Sequence, residues 1–153
     1  MAEPVDLDRL VCFALYAASR AVINAYRPLL DEVGLTYPQY LVLLVLWQRG
    51  PQPVKALGTA LHLDSGTLSP LLKRLEAAGL VRRQRQPGDE RSVLIMLTPA
   101  GSELESAARD IPYRAACARS LPLAELDELR TSLVRFTTAV TGGQPTTADE
   151  GVR

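Results

Sequence analysis

The stretch "DSGTLSPLLKRLEAAGLVRRQRQPGDERSVLIMLT", residues 64–98, changes its period half way along, and that change decides the fold. Its first half reads as a helix that Asp64 or Ser65 caps and Gly79 stops, with Pro70 in the first turns. Its second half holds two β-type runs, "LVRRQRQ" and "SVLIMLT", on either side of "PGDER". That is a hairpin with a tip of several residues.

Upstream, "PVKALGTALHL" reads as a short helix, with His62 at its end. Before it, "LTYPQYLVLLVLWQRG" reads as a helix capped by Thr36, with Pro38 in its first turn, Trp47 in the core and Gly50 as its stop. Residues 7 to about 33 read as a long helix, because Leu7, Leu10, Val11, Ala14, Leu15, Ala18, Val22 and Ala25 recur at helical spacing. Asp6 is its expected N-cap, Pro28 a kink point and Gly34 its C-cap. Downstream, the helical pattern resumes at Pro99, is interrupted near Pro112, and returns from about Leu123 to Val140. The order predicts a mainly α chain with a small β-hairpin wing: a winged helix-turn-helix between N- and C-terminal helices. The expected divisions are 1–35, 36–98 and 99–141, with 142–153 as a disordered tail.

Composition narrows the function. The chain has 153 residues and 17 acidic against 17 basic side chains, so a global basic signal for nucleic acid is absent. The charge is segregated instead. Lys73, Arg74, Arg82, Arg83, Arg85 and Arg91 crowd into about twenty residues that hold only Glu76, Asp89 and Glu90 as acids. Ser65, Thr67 and Ser69 stand at the end of the helix that a reading helix inserts into the major groove, where first-turn amides favour an anion. Lys73 and Arg74, a turn later, can reach phosphates. At the wing, Asp89 can hold Arg91 in a fixed pose for a narrow minor groove. The sequence contains two cysteines and a single histidine, His62, so a histidine-based triad is nearly excluded and the ligands are too few for a zinc site. No cofactor or metal is expected. The longest apolar run, Tyr40 to Trp47, is too short to span a membrane, and the acidic start lacks a signal peptide's basic region, so the expected location is the cytoplasm without membrane contact.

Two motifs carry a resemblance. "DERSVLIMLT" (Asp89 to Thr98) resembles the D-x-R-x5-L-T wing signature of MarR-type winged-helix regulators, and "LKRLEAAGLVRR" resembles their recognition-helix end and first wing strand. The resemblance covers residues 7 to about 140. It implies a homodimer held by its N- and C-terminal helices, with two reading helices on pseudo-palindromic, double-stranded operator DNA. "CFALYAASR", "AYRPLLDEVGLTYPQYLVLLVLW" and "LHLDSGTLSPLLKRLEAAGL" further resemble the organic hydroperoxide-sensing (OhrR) subgroup, two-cysteine type. Its members are repressors rather than enzymes, with organic hydroperoxides as inducers.

That resemblance implies that Cys12 is the redox-sensing thiol and that Tyr26 and Tyr37 hydrogen-bond its sulfur. It also makes Tyr16 a further pocket tyrosine and Cys117 the resolving thiol. Pro122 departs from the pattern, standing where relatives place a capping Ser or Thr. Geometry adds a constraint. Fourteen residues separate Cys12 from Tyr26 on one helix, about 21 Å of rise, so one straight helix keeps them apart, whereas two copies running antiparallel across a twofold axis can bring them together. Whether a Cys12–Cys117 disulfide lies within or between subunits stays open. Read from the residues alone, Cys12 is a small apolar filler. The competing function is a MarR-type regulator released by a small aromatic ligand, with non-reactive cysteines.

Overall fold

A computed structural model describes residues 5–117 and 121–142, except for the side chains of Glu90, Arg91 and Cys117. Seven helices and three strands are described: α1 (Val11–Asp31), α2 (Tyr37–Arg49), β1 (Gln52–Pro53), α3 (Val54–Leu61), α4 (Ser65–Ala77), β2 (Val81–Gln86), β3 (Asp89–Leu97), α5 (Pro99–Ala108), α6 (Ile111–Cys117) and α7 (Leu123–Val140). The chain divides into two compact units, Met1–Ala118 and Arg119–Arg153. Most of the expected tail, residues 143–153, lies outside the described residues.

Caps fix most boundaries. Thr36 closes α2 with a reciprocal capping box: the Gln39 amide donates to its hydroxyl and its own amide donates to the Gln39 side chain at 2.9 Å. Asp64, not Ser65, caps α4 by accepting from the Thr67 amide at 2.8 Å. Three local features differ from expectation. Asp6 caps a separate turn, Leu7–Arg9, by accepting from the Asp8 amide, and Leu10 is then extended, so α1 starts at Val11. The wing hairpin turns at Pro87–Gly88, with Gln86 opposite Asp89, and the register slips between Arg85 and Gln86. A third strand, β1, joins the hairpin, giving an antiparallel sheet in the order β1-β3-β2.

The core of the first unit gathers Leu30, Tyr40, Val42, Leu43, Leu46, Leu57, Leu68, Leu72, Leu75, Val81 and Ile95. On α4, Leu68, Leu71, Leu72 and Leu75 all face inward at helical spacing, which leaves Ser65, Thr67, Lys73 and Arg74 on the exposed side. Burying each of these leucines contributes about 1.5–3 kcal/mol. Trp47 is half-buried rather than fully enclosed, and its indole N–H donates to the Gly101 carbonyl at 2.9 Å, tying α2 to α5. His62 ends α3 in the left-handed region at φ 54°, exposed as expected.

In the second unit, α7 carries Leu129, Leu133, Phe136 and Val140 on one exposed stripe. No helix among the described residues is long and apolar enough to cross a membrane.

Candidate functional site

Two sets of residues stand out on the first unit. The first lies around α4 and the wing. Asp64 occupies the Thr67 amide, so the first turn of α4 is not the fully open anion site that sequence alone suggests. Hydrogen bonds from Thr67 and Gly66 hold the Asp64 carboxyl below the usual carboxylate range. Ser69 is half-buried, whereas Ser65, Thr67, Lys73 and Arg74 are exposed.

On β2, Val81 is buried and strand alternation puts Arg83 and Arg85 on its face. Arg83 reaches across to α4, its Nε 3.2 Å from the Glu76 carboxylate. Arg85 is exposed further along the strand. Asp89 opens β3 and is exposed; the side chain of Arg91 falls outside the described residues, and the expected Asp89–Arg91 pairing with it.

The second set concerns the thiol. Cys12 is a free, exposed residue in the first turn of α1. Tyr16 follows one turn later on the same face, 57% exposed. Its hydroxyl accepts from the Arg20 guanidinium at 2.9 Å, and the same guanidinium lies 5.6 Å from the ring centroid. Arg20 is one of the two basic residues nearest Cys12 in sequence, and its i,i+4 spacing from Tyr16 is the signal for a pairing that the sequence reading did not make.

Tyr26 and Tyr37 do come together. Their rings meet edge to face with centroids 5.1 Å apart, where the C-terminal half of α1 packs on the start of α2. Tyr40 completes the cluster, 6.3 Å from Tyr26 and 6.5 Å from Tyr37. Beside Tyr37 lies a pocket of about 290 Å³ whose charged members are Arg27 and Asp31. Cys12 is not part of this cluster; about 21 Å of helix separates it from Tyr26.

Cys117 is the last residue of α6. That helix docks at the far end of α1, where Arg114 donates to both carboxylate oxygens of Glu32 at 2.9 and 2.8 Å. The pairing holds Glu32 below the usual carboxylate range and raises Arg114.

The MarR family model matches residues 35–93, and relatives at 40% identity and above align over most of the chain. The chain belongs to the MarR family and is a transcriptional regulator of that family rather than an enzyme. It is 54% identical over 110 residues to the organic hydroperoxide resistance transcriptional regulator of Bacillus subtilis, covering 72% of this chain and 75% of that one. Among solved structures it is similar to AbfR of Staphylococcus epidermidis. The reduced, DNA-bound form of AbfR matches with 37% identity and a TM-score of 0.74, over 86% of this chain and 91% of that one. The disulfide form of AbfR matches with 36% identity and a TM-score of 0.58, over 86% and 88%.

Proposed function

We propose that the chain is a homodimeric repressor that holds operator DNA while Cys12 is reduced and lets go when an organic hydroperoxide oxidises it. The observation that carries this reading is the separation of Cys12 from a ready pair of phenols, Tyr26 and Tyr37, by most of the length of α1. Two antiparallel α1 helices bring each thiol to the phenols of the partner subunit, and the exposed apolar residues Leu10, Val11 and Phe13 around Cys12 are suited to such a contact. The 54% identity to a hydroperoxide-resistance regulator and the likeness to AbfR support the same chemistry.

The thiolate of Cys12, accepting hydrogen bonds from the two hydroxyls, attacks the terminal peroxide oxygen. The O–O bond breaks, the alcohol leaves, and a sulfenic acid remains. The Cys117 thiol then attacks that sulfur and water departs, leaving a disulfide. Arg114 of α6 is anchored to Glu32, about 30 Å of helix from Cys12, while a disulfide needs Cα atoms within about 7 Å. That anchoring supports a bond from Cys12 to Cys117 of the partner subunit over one within a chain. Closing it displaces α6 and shifts the two reading heads. On DNA, Ser65, Thr67 and Ser69 approach the groove, Lys73, Arg74 and Arg85 contact phosphates, Arg83 is braced by Glu76, and Asp89 and Arg91 form the wing contact.

The test is an operator-binding assay on wild type and Cys12→Ser, using a duplex selected by the reduced protein, with and without cumene hydroperoxide. Cys12→Ser should bind and stay bound. Release of the serine variant at the wild-type dose rejects the redox reading and leaves a regulator released by a small ligand.

A further inference from the structure

We propose that the buried hydroxyl of Tyr40 is a positioning group for the sensor thiol, acting through Tyr26 and Tyr37. The inference rests on the reading that those two phenols hold the thiolate of Cys12 of the partner subunit.

Tyr40 is 1% exposed, and its hydroxyl has no hydrogen-bond partner among the described residues. A buried, unpaired hydroxyl is costly, and phenylalanine would fill the same space without it. The ring is enclosed by Tyr26 from α1 and by Tyr37 and Trp47 from its own helix. Tyr26 and Tyr37 are the titratable groups that act on it; burial first, then these two phenols, push its hydroxyl up to about 12. Arg27 and Asp31 are the charged residues that line the pocket at Tyr37. Tyr40 therefore stays a neutral donor throughout the physiological range, behind two phenols whose oxygens can accept.

When Tyr26 and Tyr37 donate hydrogen bonds to a thiolate, their oxygens become better acceptors, and the Tyr40 hydroxyl, which bonds to neither in the free chain, is the buried donor left to turn to them. A chain of donors ending on the sulfur polarises cooperatively. The inner hydroxyl thus favours the thiolate over the thiol and keeps the outer phenols aimed at it.

The experiment compares full-length wild type, Tyr40→Phe and Tyr26→Phe. It measures the rate of Cys12 alkylation by iodoacetamide across pH, release from the selected duplex by cumene hydroperoxide, and thermal stability. In Tyr40→Phe the midpoint of the pH–rate profile should rise by about half to one unit, slowing reaction at neutral pH by roughly three- to tenfold. Its melting temperature and the DNA affinity of the reduced protein should not fall. A profile that superimposes on wild type while Tyr26→Phe shifts its own overturns the inference alone. A lowered melting temperature in Tyr40→Phe also overturns it, since the hydroxyl would then have a structural partner. If Tyr26→Phe leaves the profile unchanged too, the thiol reading beneath the inference fails.

Discussion

Asp64 closes the first turn of α4 with its own carboxylate, so any phosphate approaching that end meets a negative charge as well as the helix amides. Its carboxyl, like that of Glu32, sits below the usual range because the charged form is hydrogen-bonded in the folded state. The sign follows from linkage: a depressed carboxyl contributes stability above its unfolded value, near 4, and loses it as pH falls through the folded value. Urea midpoints should therefore drop on acidification below about pH 4, and Asp64→Asn should flatten that acid limb; an unchanged limb would mean that the cap adds no charge-dependent stability. Gly101 gives a steric counterpart. A Cβ there would fall on the Leu80 carbonyl, in the turn where Thr98 caps α5 and bonds to Gly79. Gly101→Ala should cost about 1–3 kcal/mol in chemical denaturation, and wild-type stability in that variant would contradict the tight packing. Residues that act on their own neighbours were legible in the sequence: Thr36, Asp64 and Gly79 each mark an end in the chain. Tyr40 was not, because it opens the apolar run "YLVLLVLW", where burial is the only message that periodicity carries.

The wing and the reading helix act as linked elements through Arg83 and Glu76, both partly exposed at 32% and 44%. A pair so placed adds only about 0–1 kcal/mol to stability, so its effect is to hold β2 at a set angle to α4. Because Arg83 is engaged and Arg85 is exposed, the two arginines should respond differently. Arg85→Ala should reduce the salt slope of operator binding by about 0.9, the amount expected for one phosphate contact, while Arg83→Ala should change the slope less. Equal slopes in the two variants would count against this division. Elements were readable wherever length and capping agreed, as for α2, α4 and the hairpin. Two were not. The apolar spacing of Leu7, Leu10 and Val11 runs straight through a break that the Asp6 cap imposes. β1 has two residues, one of them proline, too few for alternation to show.

At the scale of the molecule, large apolar side chains stand exposed at the start of α1 and, in the second unit, along α7. Such surfaces predict a dimer at micromolar concentration by light scattering. After hydroperoxide, a non-reducing gel should show a covalent dimer that reverts with dithiothreitol; a monomer with both thiols lost would place the bond within one chain. Much of this site was visible only through resemblance. Nothing in the local pattern joins Cys12 to Tyr26 and Tyr37, because the proposed contact depends on a second copy rather than on chain neighbours. The small sheet has a further effect. One edge, β1, is two residues long and ends in Pro53, which has no amide hydrogen to offer; the other, β2, carries Arg82, Arg83 and Arg85. Neither rim can recruit a stray strand. A regulator crowded along DNA can thus gather at high local density without its wings zipping into fibrils.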